Sequence, residues 1–501
     1  MKTIGVIDIG SNSIRLVVVK ILGHNSYEII DEVKQSIRLG KDLTPDGKLN
    51  PVRMEKALDT LRFYKNLCEA WSTDKLIIVA TEAVRKASNQ QLFLDRIKNE
   101  LNLPVKVLSG EQEAFYDYFG AINSLDLTNG LIMDIGGSST ELVLVKNRKM
   151  MNWISLPFGA INLSEKLNFL NPPDHAEEVL TTFLEDCFSK ISWLVKGLPL
   201  IGIGGTFRNI AKIDKKLRDY PLELSHNYCL NRNQFEEIYT LVKNTPVEAR
   251  KTIKGLSKDR ADIFLGAITA IKTLLTICSS TDICISGYGL REGLIFEYIF
   301  KKNMNPLKNV LDFSLGNLLT NYDLNKKHAF HVWQLCQSLF VQLEPIHTME
   351  KSLIKVLKTA ALLHDCGINI SYYDHHLHSF YIILNSRING LTHRELIMAA
   401  YITALHRKED LIINPVHKVL LSEQDIECVR KLGVILRLAE GLDRRMNSNI
   451  KDIKCKLETD VLKLKLLAQG PTDIEVLETK NASSVFTKIF RKELSIDVKK
   501  L

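Results

Sequence analysis

The chain has 501 residues, of which 45% are hydrophobic and 25% charged, and a net charge of +8. That length exceeds a single hydrophobic core, so about two to four domains are expected, and the composition is that of an ordinary globular protein. No apolar run approaches the ~20 residues that span a bilayer, which excludes a helical membrane protein and leaves no membrane partner expected.

Charge is unevenly spread. Residues 301–501 carry 29 Lys and Arg against 22 Asp and Glu, whereas the first 300 residues carry 37 against 36. Ten of the thirteen histidines also lie beyond residue 300. A basic surface attracts polyanions, but basic and aromatic residues are not interleaved, so nucleic acid is not an expected partner. The nine cysteines are scattered, odd in number and without a CxxC pair. Free thiols in a reducing cytoplasm are therefore expected. No signal peptide is expected either, because Asp8 already closes the first predicted strand.

The chain opens with apolar runs at Ile4–Ile7 and Ile14–Lys20 that flank a polar turn. A helix is predicted over Asn50–Trp71 and a strand at Leu76–Ala80, followed by ATEAVRKA with Thr81 and Arg85. VLSGEQEAFYDYFGAI (Val107–Ile122) reads as a strand ending at Gly110 and a helix starting with Glu111, Gln112 and Glu113. Acidic residues in a first helical turn are ordinary capping, although a carboxylate held against a phosphate cradle can also deprotonate a water.

Further strands are predicted at Leu131–Met133, Leu142–Val145, Leu200–Ile203 and Ile283–Ile285, and a helix at Phe264–Ile277. Strands alternating with helices argue for an α/β class over the first 300 residues. A polar, proline-containing joint follows at residues 301–306. Beyond it, 3.6-residue periodicity at Ser352–Leu363 and Val429–Leu442 predicts a mainly helical part. From about Ile450 the texture changes once more. CKLETDVLKLKLL alternates like a strand, Ala482–Arg491 reads as a helix and LSIDV as a short strand, which predicts a small α+β tail.

One segment occurs twice. DIGSNSIRLVVVK (residues 8–20) and DIGGSSTELVLVK (residues 134–146) share Asp8/Asp134, Ile9/Ile135, Gly10/Gly136 and Ser13/Ser139, then Leu16/Leu142, Val17/Val143, Val19/Val145 and Lys20/Lys146. One such turn would mean little, since D-G turns are common in hairpins. Two copies at domain-scale spacing indicate an architectural duplication. Each predicts a hairpin whose tip carries a carboxylate, glycine, and hydroxyl or amide groups. Turn N–H groups of this kind bind anions, and the Asp is placed to hold a cation beside them. A third glycine turn, Gly202–Thr206, with Gly204 and Gly205, precedes a helical stretch, where free N–H groups also favour phosphate. A fourth, Ser286–Gly289, leads into Arg291 and Glu292. The Walker pattern GxxxxGK[ST] is not met by these turns, which argues against a P-loop enzyme.

In this order, DIGSNS, ATEAVRKA, SGEQEA, DIGGSSTEL, GIGGT and SGYGLREG resemble the exopolyphosphatase and guanosine pentaphosphate phosphohydrolase family, within the superfamily of actin, hexokinase and the sugar kinases. The resemblance covers about the first 300 residues. It implies two RNase H-like domains, residues 1–124 and 125–303, with an active cleft between them. It also implies Glu113 as catalytic base, Arg85 as a catalytic arginine, and Asp8 and Asp134 as holders of Mg²⁺. Phosphate binding carries over to Gly10, Ser11, Asn12, Ser13, Gly136, Gly137, Ser138 and Ser139, with Thr81, Gly204, Gly205 and Thr206 as further candidates. The second loop departs from the family's usual DIGGGSTEL, since Ser138 stands at the third glycine. A positive φ there would cost serine more than glycine.

The second half has its own signature. His328, His364-Asp365, His378, His406 and Asp443 are imidazoles and carboxylates on predicted helices, the ligand types of a metal-dependent phosphohydrolase. The pattern resembles the HD superfamily, with the core positions falling on His328, His364, Asp365 and Asp443. An HD-like helical domain over residues 304–449, a tail over 450–501, and a second divalent metal in the helical domain follow from that resemblance.

The expected activity is processive, Mg²⁺-dependent hydrolysis of terminal phosphate from inorganic polyphosphate, with guanosine pentaphosphate (pppGpp) as the alternative substrate and a cytoplasmic homodimer as the expected state. The duplicated hairpins equally fit an actin-like-fold sugar or acid kinase, or a non-catalytic sensor of polyphosphate or alarmone.

Overall fold

The computed structural model describes residues 1–23, 26–41, 46–169, 175–301, 303–409 and 412–501, so Lys302 of the expected joint lies outside the described residues. The chain forms two compact units, Met1–Tyr220 with Leu224–Val310, and Leu311–Leu501 with Pro221–Glu223.

The first unit holds two sheets. One is built from β1 (Lys2–Ile9), β2 (Ile14–Gly23), β3 (Ser26–Gln35), β4 (Lys75–Ala80) and β5 (Lys106–Val107), in the order β3-β2-β1-β4-β5. The other contains β6 (Gly130–Ile135), β7 (Thr140–Lys146), β8 (Lys149–Leu156), β9 (Leu200–Ile203), β10 (Tyr228–Asn231) and β11 (Asp282–Ile285), in the order β10-β11-β9-β6-β7-β8. The two share one plan. Three antiparallel strands, β1-β2-β3 or β6-β7-β8, are extended from the first of them by parallel strands, β4-β5 or β9-β11. The repeated segment is thus a repeat of the fold.

β1 and β6 are central strands, which explains their nearly continuous apolar runs. Four consecutive residues of each, Ile4–Ile7 and Gly130–Met133, are buried. The helix Pro51–Ala70 begins where the Asn50 side chain accepts from Val52 N at 2.9 Å, and it buries Leu58, Leu61 and Tyr64 against the first sheet. The core of the second sheet gathers Phe207, Phe235 and Phe264 with Leu142 and Ile283.

Two helices cross over between the sheets. Gly110–Ile122 follows β5 and packs on β7 and β8, whereas Leu290–Ile299 follows β11 and packs on β1. They also pack on each other at a separation that only glycine allows: a Cβ at Gly120 would collide with the Gly289 carbonyl, and one at Gly293 with that of Tyr116.

The second unit is largely helical, with Lys326–Gln342, Ile354–Leu363, His375–Asn385, His393–Leu405 and Glu423–Gly441 as its main helices. It ends in a three-stranded sheet, β12 (Ile450–Leu457), β13 (Val461–Ala468) and β14 (Glu493–Lys500). CKLETDVLKLKLL is therefore two strands rather than one. β12 and β13 pair antiparallel with Leu457 opposite Leu462, leaving residues 458–460 as the turn. β14 lies parallel to β13, which requires the crossover through helices Asp473–Asn481 and Ser483–Phe490.

The cysteines are not all free thiols, contrary to expectation. Cys229 on β10 and Cys284 on β11 are directly opposite in register and form a disulfide, while seven other cysteines stay free. Cysteine usage thus does not argue for a reducing compartment. Among the described residues, no helix is long and apolar enough to cross a membrane.

Candidate active site

The two DIG hairpins have the same local construction. Gly10 N donates to Ser13 O at 3.2 Å, and Gly136 N donates to Ser139 O at 3.0 Å. Asp8 faces Arg15 across its hairpin, and Asp134 faces Glu141 across the other. The tips meet: a Cβ at Gly137 would lie 2.9 Å from the Ser11 Cβ. A third piece joins them, because Gly40 N donates to Ser11 O at 2.8 Å and a Cβ at Gly40 would lie 2.6 Å from Ser138 Oγ.

Between these loops lies a cavity of about 140 Å³. Its lining includes Asp8, Gly10, Ser11, Asn12, Ser13, Thr81, Glu113, Asp134, Gly136, Gly137, Ser139, Gly204 and Gly205. Three expected residues are placed elsewhere. Ser138 and Thr206 are buried but do not line the cavity, and the Thr206 hydroxyl accepts from Arg260 at 3.5 Å. Arg85 also lies outside the lining. Its guanidinium donates to Glu113 Oε1 at 2.9 Å and to the Leu108 carbonyl at 2.6 Å, and pairs with Glu82. Arg85 is therefore placed to act on Glu113 rather than on a group in the cavity. Ser138 does not adopt positive φ, so the expected penalty of serine at that position does not arise.

Seven charged lining residues had no role from the sequence: Arg15, Asp117, Glu141, Arg208, Arg260, Arg291 and Glu292. Arg291 pairs with Glu32 at 2.9 Å, and Ser155 Oγ donates to Glu141 at 2.8 Å. A signal was present in the repeat itself. Arg15 and Glu141 occupy the same position of the two copies, each a charge immediately before a four-residue apolar run.

Capping of the helix Gly110–Ile122 is done by Ser109 and Gln112, which satisfy each other's backbone N–H groups. Glu113, 3% exposed, is thereby free to face the cavity while Glu111 is exposed. Burial raises the Glu113 carboxyl to about 7, against the opposing influence of Arg85. Burial likewise raises Asp8 to about 6, and Asp117, Asp134 and Glu141 move upward for the same reason. The arginines feel the converse, since burial among like charges pushes Arg208 down to about 9 and Arg260 to about 10.

Several buried polar atoms have no hydrogen-bond partner among the described residues, including Asp8 Oδ1, Asp117 Oδ1 and both side-chain polar atoms of Asn12. Unpaired carboxylate oxygens beside Asp134 suit a hard, oxygen-seeking cation such as Mg²⁺. Gly204 has φ +88°, and a Cβ there would lie 2.5 Å from Asp134 Oδ1, so the third glycine turn makes room for this carboxylate.

In the helical unit, His328, His364 and Asp365 form one group able to hold a cation, and Asp365, His375 and His406 form another. Asp443 accepts from His328 Nδ1 at 2.8 Å and belongs to neither group. His375 occupies the place for which His378 was the sequence candidate.

A sequence model of the Ppx/GppA phosphatase family matches residues 17–302, and one of Ppx/GppA phosphatase, domain III, matches residues 310–480. The guanosine-5'-triphosphate,3'-diphosphate pyrophosphatase of Aeromonas hydrophila is 27% identical over 476 residues, covering 92% of this chain and 91% of that protein. Its counterpart in Pseudoalteromonas atlantica is 27% identical over 457 residues, covering 89% and 87%. Among solved structures, the Aquifex aeolicus Ppx/GppA family member is 32% identical with a TM-score of 0.53, covering 60% of this chain and 99% of its own. An exopolyphosphatase from Cytophaga hutchinsonii is 26% identical with a TM-score of 0.56, covering 61% and 100%. Two sheets of one plan, with paired glycine hairpins at their junction, are the actin-like core these proteins share, and the chain belongs to the Ppx/GppA phosphatase family.

Proposed function

We propose that this chain hydrolyses the terminal phosphoanhydride bond of a linear, phosphate-rich polyanion, with inorganic polyphosphate as substrate. One observation carries the reading: two facing glycine hairpins share a cavity with Arg15, Arg208, Arg260 and Arg291 and with the buried carboxylate of Glu113. Arginines and turn N–H groups bind phosphate oxygens, and the carboxylate takes the proton of the attacking water. Asp8 and Asp134 hold Mg²⁺, which supplies charge neutralisation at the phosphate oxygens. Gly10, Ser11, Asn12, Ser13, Thr81, Gly136, Gly137, Ser139, Gly204 and Gly205 bind phosphate from the cavity wall. Ser138 and Thr206 support that wall from behind, and Arg85 orients and tunes Glu113. The helical unit is an HD-like domain, and the working form is a cytoplasmic homodimer.

Guanosine pentaphosphate is the second reading, favoured because the relatives that align along most of the chain are named as pyrophosphatases of that nucleotide. Phosphate release from the purified chain with Mg²⁺, offered each substrate in parallel, tests both. Turnover of polyphosphate supports the first and turnover of the nucleotide alone the second. Silence on both, in folded protein, overturns the proposal.

A further inference from the structure

The second unit holds a cavity of about 780 Å³ between the helix Glu423–Gly441 and the tail helix Ser483–Phe490. Sites for small organic ligands run to about 300–1,000 Å³, so the space suits one such molecule. None of the residues given a role above lines it. Along the first helix Ile426, Arg430, Gly433 and Arg437 recur at three- and four-residue steps, so a single helix face is turned to the cavity. The walls are apolar at depth: Ile426, Val429 and Val434 from that helix, and Val485 and Phe490 from the tail, are buried.

The rim is cationic. Lys408, Arg430, Lys431, Arg437, Lys488 and Arg491 line the cavity against two carboxylates, Glu409 and Glu427. Lys431 engages Glu427 at 2.7 Å, and Arg437 lies 3.7 Å from Glu409. Among the described residues no salt bridge joins Lys408, Arg430 or Arg491 to a carboxylate, and all three are exposed. Arg437 reaches deeper. Its side chain is 19% exposed, and its Nη1 is buried with no hydrogen-bond partner among the described residues. A buried charged donor left open costs free energy that an acceptor would recover, and the acceptor that suits a surplus of cations is an anion.

Wall and rim select the ligand jointly. An inorganic phosphate chain would use the cations but gains nothing from apolar walls. A nucleotide needs hydrogen-bonding groups at its base edges, whereas Ser484 is the one uncharged polar side chain of the lining among the described residues. An alkyl chain needs only apolar surface to leave water. We propose that the cavity binds an anionic amphiphile, an alkyl chain ending in a carboxylate or a phosphate. The chain lies against Ile426, Val429, Val434, Val485 and Phe490, and the head group on Arg437 and Arg430. The site is independent of the cleft and of the phosphoanhydride chemistry proposed above.

The test is calorimetric titration of the full chain with octanoate, octyl phosphate and octanol, each below its aggregation limit, and with polyphosphate. Saturation is expected at one molecule of anionic probe per chain, with octanol at least ~10-fold weaker. The carboxylate and phosphate arms distinguish the two head groups. Arg437→Met and Arg430→Glu are each expected to weaken the anionic probes ~10-fold or more and to leave octanol within ~3-fold. Should Arg437→Met not fold, Arg430→Glu, at an exposed position, decides alone. Octanol bound as tightly as the anions overturns the head-group assignment, and anion affinity that ignores the variants overturns the location. Absence of saturable binding by every octyl probe sinks the proposal. So does polyphosphate binding that these substitutions abolish, which would make the cavity a polyanion site.

Discussion

Arg85 Nη1 donates to Glu113 Oε1 at 2.9 Å, joining a half-buried cation to a carboxylate that is 3% exposed. Burial drives the carboxyl up to about 7, and Arg85 acts against it. A general base works only when deprotonated, so kcat/KM for phosphate release is expected to rise with pH through about 7 and then level. Replacing Arg85 by Met removes a charge that stabilises the carboxylate, so the rising limb should move to higher pH. Profiles of wild type and Arg85→Met decide this, and a limb that stays in place or moves lower would detach Arg85 from Glu113.

Glu113→Gln keeps the shape of the side chain and removes its basicity. Phosphate release is expected to fall ~100-fold or more. Binding of the polyanion should persist, because the arginines and glycine turns that hold it are untouched. A variant that turns over within a few-fold of wild type would remove Glu113 from the proton-transfer role.

Gly204 makes a sharper test of the carboxylate site. Its φ of +88° costs any L side chain about 1–2 kcal/mol, and the added methyl would also press on Asp134 Oδ1. Gly23 has nearly the same φ, +89°, with nothing within 4 Å of its would-be Cβ. Both alanine variants should lose comparable stability from backbone strain. Only Gly204→Ala should also need more Mg²⁺ for half-maximal activity, read from metal titrations of the two proteins. A matching rise in Gly23→Ala would mean that strain, and not Asp134, governs metal use.

The duplication was legible because both copies keep a glycine and a carboxylate at the end of an apolar strand, and those positions became the cavity. By helical position alone Glu113 was one of two acidic residues in a first turn, and the family resemblance singled it out. The structure adds a physical reason, since Gln112 takes the capping duty. Arg15, Arg208 and Arg260 were not legible, since an isolated arginine reads as solvated until the sheets are brought together around it. His375 was passed over for His378 for a similar reason. Helical spacing shows which residues can share a face, but not which ring nitrogen faces inward.

The meeting of the loops at Gly40 gives a prediction that depends on two residues jointly. Ser138 Oγ is buried without a hydrogen-bond partner among the described residues, and its backbone avoids positive φ. Ser138→Gly should therefore change polyphosphate affinity less than ~3-fold, since it removes an unsatisfied hydroxyl rather than a contact. Gly40→Ala is different. The new methyl would lie 2.6 Å from Ser138 Oγ and 3.0 Å from Ser11 Cβ, forcing the two hairpin tips apart. It should lower both thermal stability and phosphate affinity. Combining the two substitutions removes the nearer obstacle and leaves the farther one, so the double variant should regain part of the loss. The expected coupling is about 0.5–3 kcal/mol in denaturant titrations. Strict additivity of the two substitutions would show that Gly40 and Ser138 do not meet as described, and the apposition of the two phosphate loops would have to be redrawn.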